Sequence, residues 1–223
     1  MTVSLFLQAI GKFTLGVLLV GALLFLPAGT LAFFHGWLLM GVLFIPMLLA
    51  GIVMMIKNPT LLQKRLVAKE KEKGQSLLVK LSGLMFLAGF VVAGLGHRYQ
   101  WYTLPRGFVI VGTAVFLIAY LLYAEVLREN TYLSRTIEVQ KDQTVIDTGL
   151  YAIVRHPMYS ATLLLFLSMP LILGSLYAFF IFLTYPVIIT VRLLKEEKYL
   201  QKELAGYGDY MKKVRWRLIP FLF

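Results

Sequence analysis

Two polar clusters lie at the two ends of one apolar stretch in the C-terminal half of the chain. The sequence Arg-His-Pro at 155–157 comes directly before the apolar residues 158–191, and Arg192 and Glu196 follow that stretch. Placing titratable, hydrogen-bonding side chains at a membrane boundary costs free energy, so their presence indicates a functional site. The spacing predicts that one hydrophobic hairpin brings the two clusters together.

The chemistry available to these residues follows from their positions. Arg192 and Glu196 are four apart, hence on one helix face, and an exposed pair of this kind usually contributes only a few tenths of a kcal/mol. Here the pair stands where the chain leaves the apolar stretch, so Arg192 can face a substrate at lipid depth while Glu196 faces the cytoplasm. His156 and Pro157 would begin a helix whose unpaired N–H groups and dipole receive polar ligand groups, and proline suits a first helical position.

The composition defines the class of protein. Of the 223 residues, 59% are hydrophobic and 15% are charged, whereas soluble domains are roughly 45–50% apolar and about 25% charged. Residues 13–56 contain no Asp, Glu, Lys or Arg, and a soluble core of this size could not bury such a run. The chain is therefore expected to be a polytopic α-helical membrane protein.

Composition also bears on partners and metals. There is no cysteine, so disulfides and thiolate metal sites are excluded, and three histidines far apart in sequence predict no metal site. The net charge of +11 lies mainly in short loops between apolar segments. This distribution favours contact with lipid headgroups over binding of nucleic acid.

Four N-terminal spans are predicted from the apolar runs. They cover residues 13–34, 37–56, 77–96 and 107–127. Small residues in the third span, at Gly83, Gly89, Ala93 and Gly94, would permit close helix packing.

The apolar stretch 158–191 would measure about 51 Å as one helix, against a hydrocarbon core of about 30 Å. Pro170 and the pair at 174–175 are expected to divide it into a hairpin of two short arms, with Pro186 kinking the second arm. An amphipathic helix over residues 192–213 is expected to lie along the membrane surface. The fold class is therefore all-α, with four N-terminal spans, a C-terminal helical hairpin and a surface helix.

The charge distribution predicts the topology. The loop 57–73 carries six basic residues against two acids, a bias typical of cytoplasmic loops, and both termini are then cytoplasmic as well. The spacing of Leu61, Leu62, Leu66 and Val67 within this loop predicts a short amphipathic helix. Glu125, near the inner end of the fourth span, is expected to pair with Arg128 rather than to act in catalysis. We interpret residues 1–223 as a single membrane domain with a scaffold (1–127) and a binding half (128–223).

Residues 143–223 resemble the C-terminal half of the isoprenylcysteine carboxyl methyltransferase family. The motifs that carry the resemblance are Gly-Leu-Tyr at 149–151, Arg-His-Pro-Met-Tyr at 155–159, Arg192 with Glu196-Glu197, Tyr-Gly-Asp-Tyr at 207–210, and a basic run ending at Pro220. Two positions depart from the family pattern. Met158 stands where a small polar residue is common, and Tyr207 stands where phenylalanine is usual.

The resemblance implies a methyl transfer from S-adenosylmethionine to the carboxylate of a lipophilic acceptor that reaches the site from the bilayer. Arg192 would hold the acceptor carboxylate and act in catalysis with Glu196. The residues implied to bind the cofactor are Gln143, Thr144, Val145, Ile146, Tyr151, His156, Pro157, Met158, Tyr159 and Glu196.

Three other functions fit parts of the pattern. A phospholipid N-methyltransferase would need a base such as Glu125 or His156 to deprotonate its amine. An enzyme like the sterol reductases would bind NADPH, with Arg135, Lys141 and Arg155 available for its extra phosphate. A membrane scaffold or transporter without enzymatic activity would leave the two polar clusters unexplained.

Overall fold

A computed structural model describes residues 3–66, 73–133 and 139–223 of the chain. Within these ranges the chain is helical and forms no β-strand. The helices are α1 (Val3–Ala28), α2 (Phe34–Lys57), α3 (Pro59–Leu66), α4 (Lys73–Arg98), α5 (Arg106–Glu129), α6 (Pro157–Ile172), α7 (Leu176–Phe182), α8 (Tyr185–Glu203) and α9 (Tyr207–Lys213), with a 3₁₀ turn at Gly149–Ala152.

In the described ranges, five helical segments are long and apolar enough to cross a membrane. They are Val3–Ala28, Phe34–Lys57, Gln75–Arg98, Arg106–Glu129 and the run Leu176–Glu203 formed by α7 and α8. The shorter apolar helix α6 accompanies them. The predicted fold class, an all-α polytopic membrane protein, is confirmed.

A short turn joins the first two spans. It comprises residues 29–33, so the predicted first span of residues 13–34 started too late and ended too late. Gly29 ends α1 with φ +68°, a left-handed conformation that costs glycine no steric strain. Its amide donates to the carbonyl oxygen of Phe25 at 3.0 Å.

Small residues of α4 allow neighbouring helices to approach it closely, as predicted for two of the three glycines. A Cβ at Gly94 would lie 2.5 Å from the carbonyl oxygen of Leu24 on α1, and one at Gly89 would overlap the ring of Phe182 on α7. Gly83 has no such neighbour within 4 Å. Close packing is therefore concentrated in the half of α4 that ends at Arg98.

The short helix α3 confirms the amphipathic segment predicted in the loop after the second span. Its Leu61 and Leu62 are each 5% exposed, and the Lys12 ammonium of α1 donates to the carbonyl oxygen of Leu66 at 2.6 Å. Val67, which was also predicted to belong to the apolar face, lies outside the described residues. The helix is thereby held against α1 and α2.

The C-terminal hairpin is centred on α6, which packs against α5, α7, α8 and α2. Leu165 and Ile172 of α6 are buried in one cluster with Phe116 of α5 and Phe182 of α7. The turn at residues 173–175 reaches the α4–α5 connection, where the Leu104 amide donates to the Gly174 carbonyl oxygen at 2.9 Å. Although α6 has only 16 residues, or about 24 Å, the hairpin extends to the far end of the bundle.

The prolines act differently from the prediction. Pro170 lies inside α6 and does not end it; the turn forms at the pair 174–175, as predicted, where Gly174 adopts φ +64°. The second arm breaks at residues 183–184, and Pro186 then lies in the first turn of α8, where no intrahelical N–H donor is required. Pro186 therefore helps to start a helix rather than to kink one.

The predicted surface helix over residues 192–213 is wrong in its bounds. Arg192 lies inside α8, which continues from the hairpin arm to Glu203. A left-handed Gly206 (φ +83°) then separates α8 from the short helix α9. The change from apolar to charged residues at Arg192 marks the end of the apolar zone and not the end of a helix.

Candidate functional site

A cleft opens where the hairpin leaves the apolar part of the bundle. It has a cavity volume of about 110 Å³ and is bounded by the start of α6, the charged half of α8, α9 and residues from the ranges 130–133 and 143–146. Nine of the ten residues predicted to bind a cofactor line this cleft, and Arg192 lines it too. Pro157 is the exception: it is buried in the first turn of α6 and sets the start of that helix.

Tyr159 joins the two charged residues of α8 at the cleft. Its hydroxyl donates a hydrogen bond to a carboxylate oxygen of Glu196, and it accepts a hydrogen bond from Nε of Arg192 at 3.1 Å. The tyrosine is 5% exposed, and its ring stacks beside His156 with centroids 5.6 Å apart. The first turn of α6 and the middle of α8 are thus fixed to each other by one hydroxyl group.

Glu197 faces the other way and binds a cluster of basic residues. Its Oε1 lies 3.0 Å from Nε of Arg155 and 3.3 Å from Nε2 of His156, and its Oε2 accepts from Nε of Arg217 at 3.0 Å. The Glu197 side chain is 5% exposed and that of Arg155 is equally buried. A buried carboxylate with cationic partners is costly to disrupt, so this cluster fixes the rear wall of the cleft.

Backbone hydrogen bonds attach the C-terminal segment to the same wall. The amides of Arg155 and His156 donate to the carbonyl oxygens of Trp216 at 2.8 Å and Arg217 at 2.9 Å. The Ser160 hydroxyl donates to the Leu218 carbonyl oxygen at 2.6 Å. These contacts explain why the basic segment after α9 belongs to the site although it does not line the cleft.

The segment 139–148 forms the opposite wall and is anchored at both ends. The Lys64 ammonium of α3 donates to the side-chain oxygen of Gln140 at 2.6 Å. The backbone amide of Gln140 donates to Oε1 of Gln143 at 2.9 Å. At the other end Lys213 of α9 donates to Asp147 at 2.6 Å. This hydrogen bond and the lysine charge lower the pKa of the Asp147 carboxyl below its usual value.

A tight turn at Gly149 orients Tyr151. Gly149 has φ +49°, and a Cβ there would overlap the Glu129 carboxylate, which accepts from the Thr148 hydroxyl at 2.9 Å and the Leu150 amide at 3.1 Å. The Asn130 amide then donates to the Tyr151 hydroxyl at 3.0 Å. Tyr151 is 8% exposed, so the tyrosine is a fixed part of the cleft wall.

Several residues of the site were missed as site residues in the sequence. Glu197 stands in the motif with Arg192 and Glu196 but was given no role, and Glu129, at the end of α5, belongs to none of the motifs. Asn130 carried no signal, whereas Tyr207 and Tyr210 stand in the motif at 207–210, where Tyr207 was identified as a departure from the family pattern. All but Glu197 and Glu129 line the cleft.

Candidates from the alternative functions are divided: His156 and Arg155 line the cleft, and Glu125 and Lys141 do not. Glu125 pairs with Arg128 at 2.6 Å with both side chains well exposed, which confirms the predicted pairing. Arg155 lines the cleft but is ion-paired with Glu197. Lys141 is exposed and does not line the cleft, and Arg135 lies outside the described residues.

Comparison with known proteins finds a match that covers most of this site. Residues 108–206 match the model of the phospholipid methyltransferase family, and the match includes nearly all of α5, the hairpin and the motifs at 155–159 and 192–197. This finding supports a membrane methyltransferase, and the five apolar helical segments identify an integral, multi-pass membrane protein. The match does not single out the isoprenylcysteine carboxyl methyltransferases that the sequence resembles.

One curated relative is a reductase. The chain is 30% identical over 91 residues to the Delta(14)-sterol reductase TM7SF2 of Mus musculus. The match covers 40% of this chain and 22% of the reductase, so the chain spans about a fifth of the length of that relative.

Proposed function

We propose that this protein is a membrane methyltransferase that uses S-adenosylmethionine to methylate the carboxylate of a lipophilic, isoprenylcysteine-like acceptor. The observation that carries the proposal is the pairing of Arg192 and Glu196 through Tyr159 at the cleft. An anion-binding group and a cation-binding group lie one helical turn apart, at the level where α8 passes from apolar to charged sequence. A methyl transfer between a cationic donor and an anionic acceptor requires both.

The cleft has the groups that such a cofactor needs. S-adenosylmethionine carries a positive sulfonium and ammonium group, and the Glu196 carboxylate offers a complementary charge. Another part of the cleft is lined by Val145, Leu200 and Leu204. These side chains would pack against the flat face of the adenine ring of the cofactor. When bound, the cofactor supplies a methyl group activated by the sulfonium.

Arg192 would orient the acceptor. It lies one turn closer to the apolar half of α8 than Glu196, and a planar guanidinium matches a carboxylate in a way that an ammonium does not. A carboxylate with an ordinary pKa of roughly 3.5–4 is already ionised at neutral pH, so the nucleophile needs no general base. The side chains then contribute mainly by holding the acceptor oxygen in line with the methyl group.

Methyl transfer to a defined acceptor tests the proposal. Purified protein in detergent is incubated with S-adenosylmethionine labelled in its methyl group and an isoprenylated cysteine derivative with a free carboxylate. The label should enter the lipid and be released as methanol by mild alkali, because a methyl ester hydrolyses under these conditions. Transfer that resists alkali, or no transfer while the cofactor binds, would contradict a carboxylate acceptor.

Phospholipid N-methylation is the second candidate, and the family match over residues 108–206 favours it. An ammonium headgroup must lose a proton before it can accept a methyl group. His156 lines the cleft and Glu125 does not, so the histidine is the better candidate base of the two. Phosphatidylethanolamine as acceptor in the same assay would give an alkali-stable methylated amine.

A further inference from the structure

The hydroxyl group of Tyr207 is buried, and within the described residues no protein group forms a hydrogen bond with it. Its ring packs with Leu204, Tyr210 and Val214 in a small apolar cluster, and the residue is 4% exposed. It lines the cleft.

Other buried tyrosines near the site are satisfied. The hydroxyl of Tyr210 donates to the Tyr151 carbonyl oxygen at 2.7 Å, and that of Tyr185 donates to the Thr162 hydroxyl at 3.0 Å. A buried hydroxyl without a partner lowers stability, whereas phenylalanine would fill the same space without that cost. The Tyr207 hydroxyl is therefore unfavourable for the folded protein alone and becomes favourable if a ligand supplies the missing partner.

The surroundings of the Tyr207 hydroxyl indicate which ligand groups would suit it. Burial, and then the nearby carboxylates of Glu197 and Glu196, raise the pKa of Tyr207 above its usual value. The phenol therefore stays protonated and neutral at physiological pH. Two neighbouring carboxylates favour ligand groups that donate hydrogen bonds.

We propose that the Tyr207 hydroxyl is a further ligand-binding group of the cleft, which accepts a hydrogen bond from an N–H or O–H group of the cofactor. This inference rests on the proposed use of S-adenosylmethionine. The donor is either the ammonium of its amino-acid part or a hydroxyl of its ribose. In both cases the hydrogen bond forms only in the complex.

The isosteric variant Tyr207→Phe tests this role, with Tyr185→Phe as a matched control outside the cleft. Calorimetry with S-adenosylhomocysteine should show about 3- to 10-fold weaker binding for Tyr207→Phe, while its ligand-free melting temperature stays equal or rises. Tyr185→Phe should show the reverse: a lower melting temperature, since a buried protein hydrogen bond is lost, and unchanged affinity. A purely structural role for Tyr207 would lower its melting temperature instead.

A second ligand identifies the donor. 5′-Methylthioadenosine lacks the amino-acid part, so an ammonium contact predicts weakened binding of S-adenosylhomocysteine alone, and a ribose contact predicts weakened binding of both ligands. Equal affinity of wild type and Tyr207→Phe for S-adenosylhomocysteine would overturn the role of Tyr207 and leave the proposed function intact. Failure of the wild type to bind S-adenosylhomocysteine would instead overturn the proposed function.

Discussion

Glu196 and Glu197 are adjacent on α8, yet the side chain of Glu196 faces the cleft and that of Glu197 faces the protein behind it. Glu196 lines the cleft and accepts a hydrogen bond from Tyr159. Glu197 is buried behind it, between Arg155 and Arg217. Successive residues on a helix point about 100° apart, so a pair of adjacent acids allows one carboxylate to serve a ligand while the other holds the wall in place.

Neutral variants of the two acids should separate these roles. Glu197→Gln leaves Arg155 and Arg217 without their counter-charge, and we expect it to lower the free energy of unfolding by about 3 kcal/mol. Glu196→Gln keeps an acceptor for the Tyr159 hydroxyl, so stability should change little. Its affinity for S-adenosylhomocysteine should fall by about 1.5 to 3 kcal/mol, because a charge-assisted contact is lost. Thermal unfolding and calorimetry of both variants give the two measurements, and the opposite assignment of effects would contradict this division.

Arg192→Lys keeps the charge and removes the planar guanidinium. Cofactor affinity should survive, because the cofactor contacts are assigned to Glu196 and not to Arg192. Methyl transfer to an isoprenoid carboxylate should fall about tenfold or more, since the loss of one well-placed contact of about 1.4 kcal/mol in the transition state has that effect. Complete loss of S-adenosylhomocysteine binding in Arg192→Lys would place this residue in the cofactor site instead.

Gly149→Ala should destabilise the turn that orients Tyr151. A Cβ there overlaps the Glu129 carboxylate, and the positive φ adds strain, so we expect a cost of about 1 to 3 kcal/mol. Gly83→Ala is the matched control, because that helical glycine has no neighbour within 4 Å of a built Cβ. Alanine there should be neutral or stabilising by about 0.5 to 1 kcal/mol. Equal melting temperatures for the two variants would contradict the overlap and strain expected for Gly149→Ala.

The orientation in the membrane stays a prediction that single cysteines can test, since the native sequence contains none. A cysteine at Gln100, in the α4–α5 connection, should react with a membrane-impermeant thiol reagent from outside intact cells. A cysteine at the exposed Gln63 of α3 should react only after the cells are opened, because basic loops remain on the cytoplasmic side. The reverse labelling pattern would invert the topology.

Much of the fold was predictable because membrane helices require long apolar runs, and these are visible in composition alone. Helix ends were less predictable. Charge begins at Arg192, but α8 continues to Glu203, since nothing in the charged sequence breaks a helix before Gly206. Pro170 likewise did not end α6, and the turn formed at Gly174, which can adopt a left-handed conformation.

The cleft residues that belong to the sequence motifs were predictable. Helix spacing also predicted that Arg192 and Glu196 share one face, but the partners of Glu197 were not predictable. Burial of Ile189 and Leu193 fixes the rotation of α8, and this rotation places Glu196 at the cleft and Glu197 behind it. The contacts of Lys64 and Glu129 with the cleft walls join residues far apart in sequence, so they follow from tertiary packing alone.

The central claim is that the cleft is a site for S-adenosylmethionine, and the most direct measurement is ligand-dependent thermal stabilisation of the detergent-solubilised protein. S-adenosylhomocysteine and NADPH are compared at equal concentrations, with Glu196→Gln as the control for binding in the cleft. A ligand at 100 times its Kd stabilises the folded state by about 2.7 kcal/mol, which is readily detected. We predict that S-adenosylhomocysteine raises the melting temperature of the wild type, that Glu196→Gln reduces this effect, and that NADPH has none. Stabilisation by NADPH alone would contradict the account and favour a reductase.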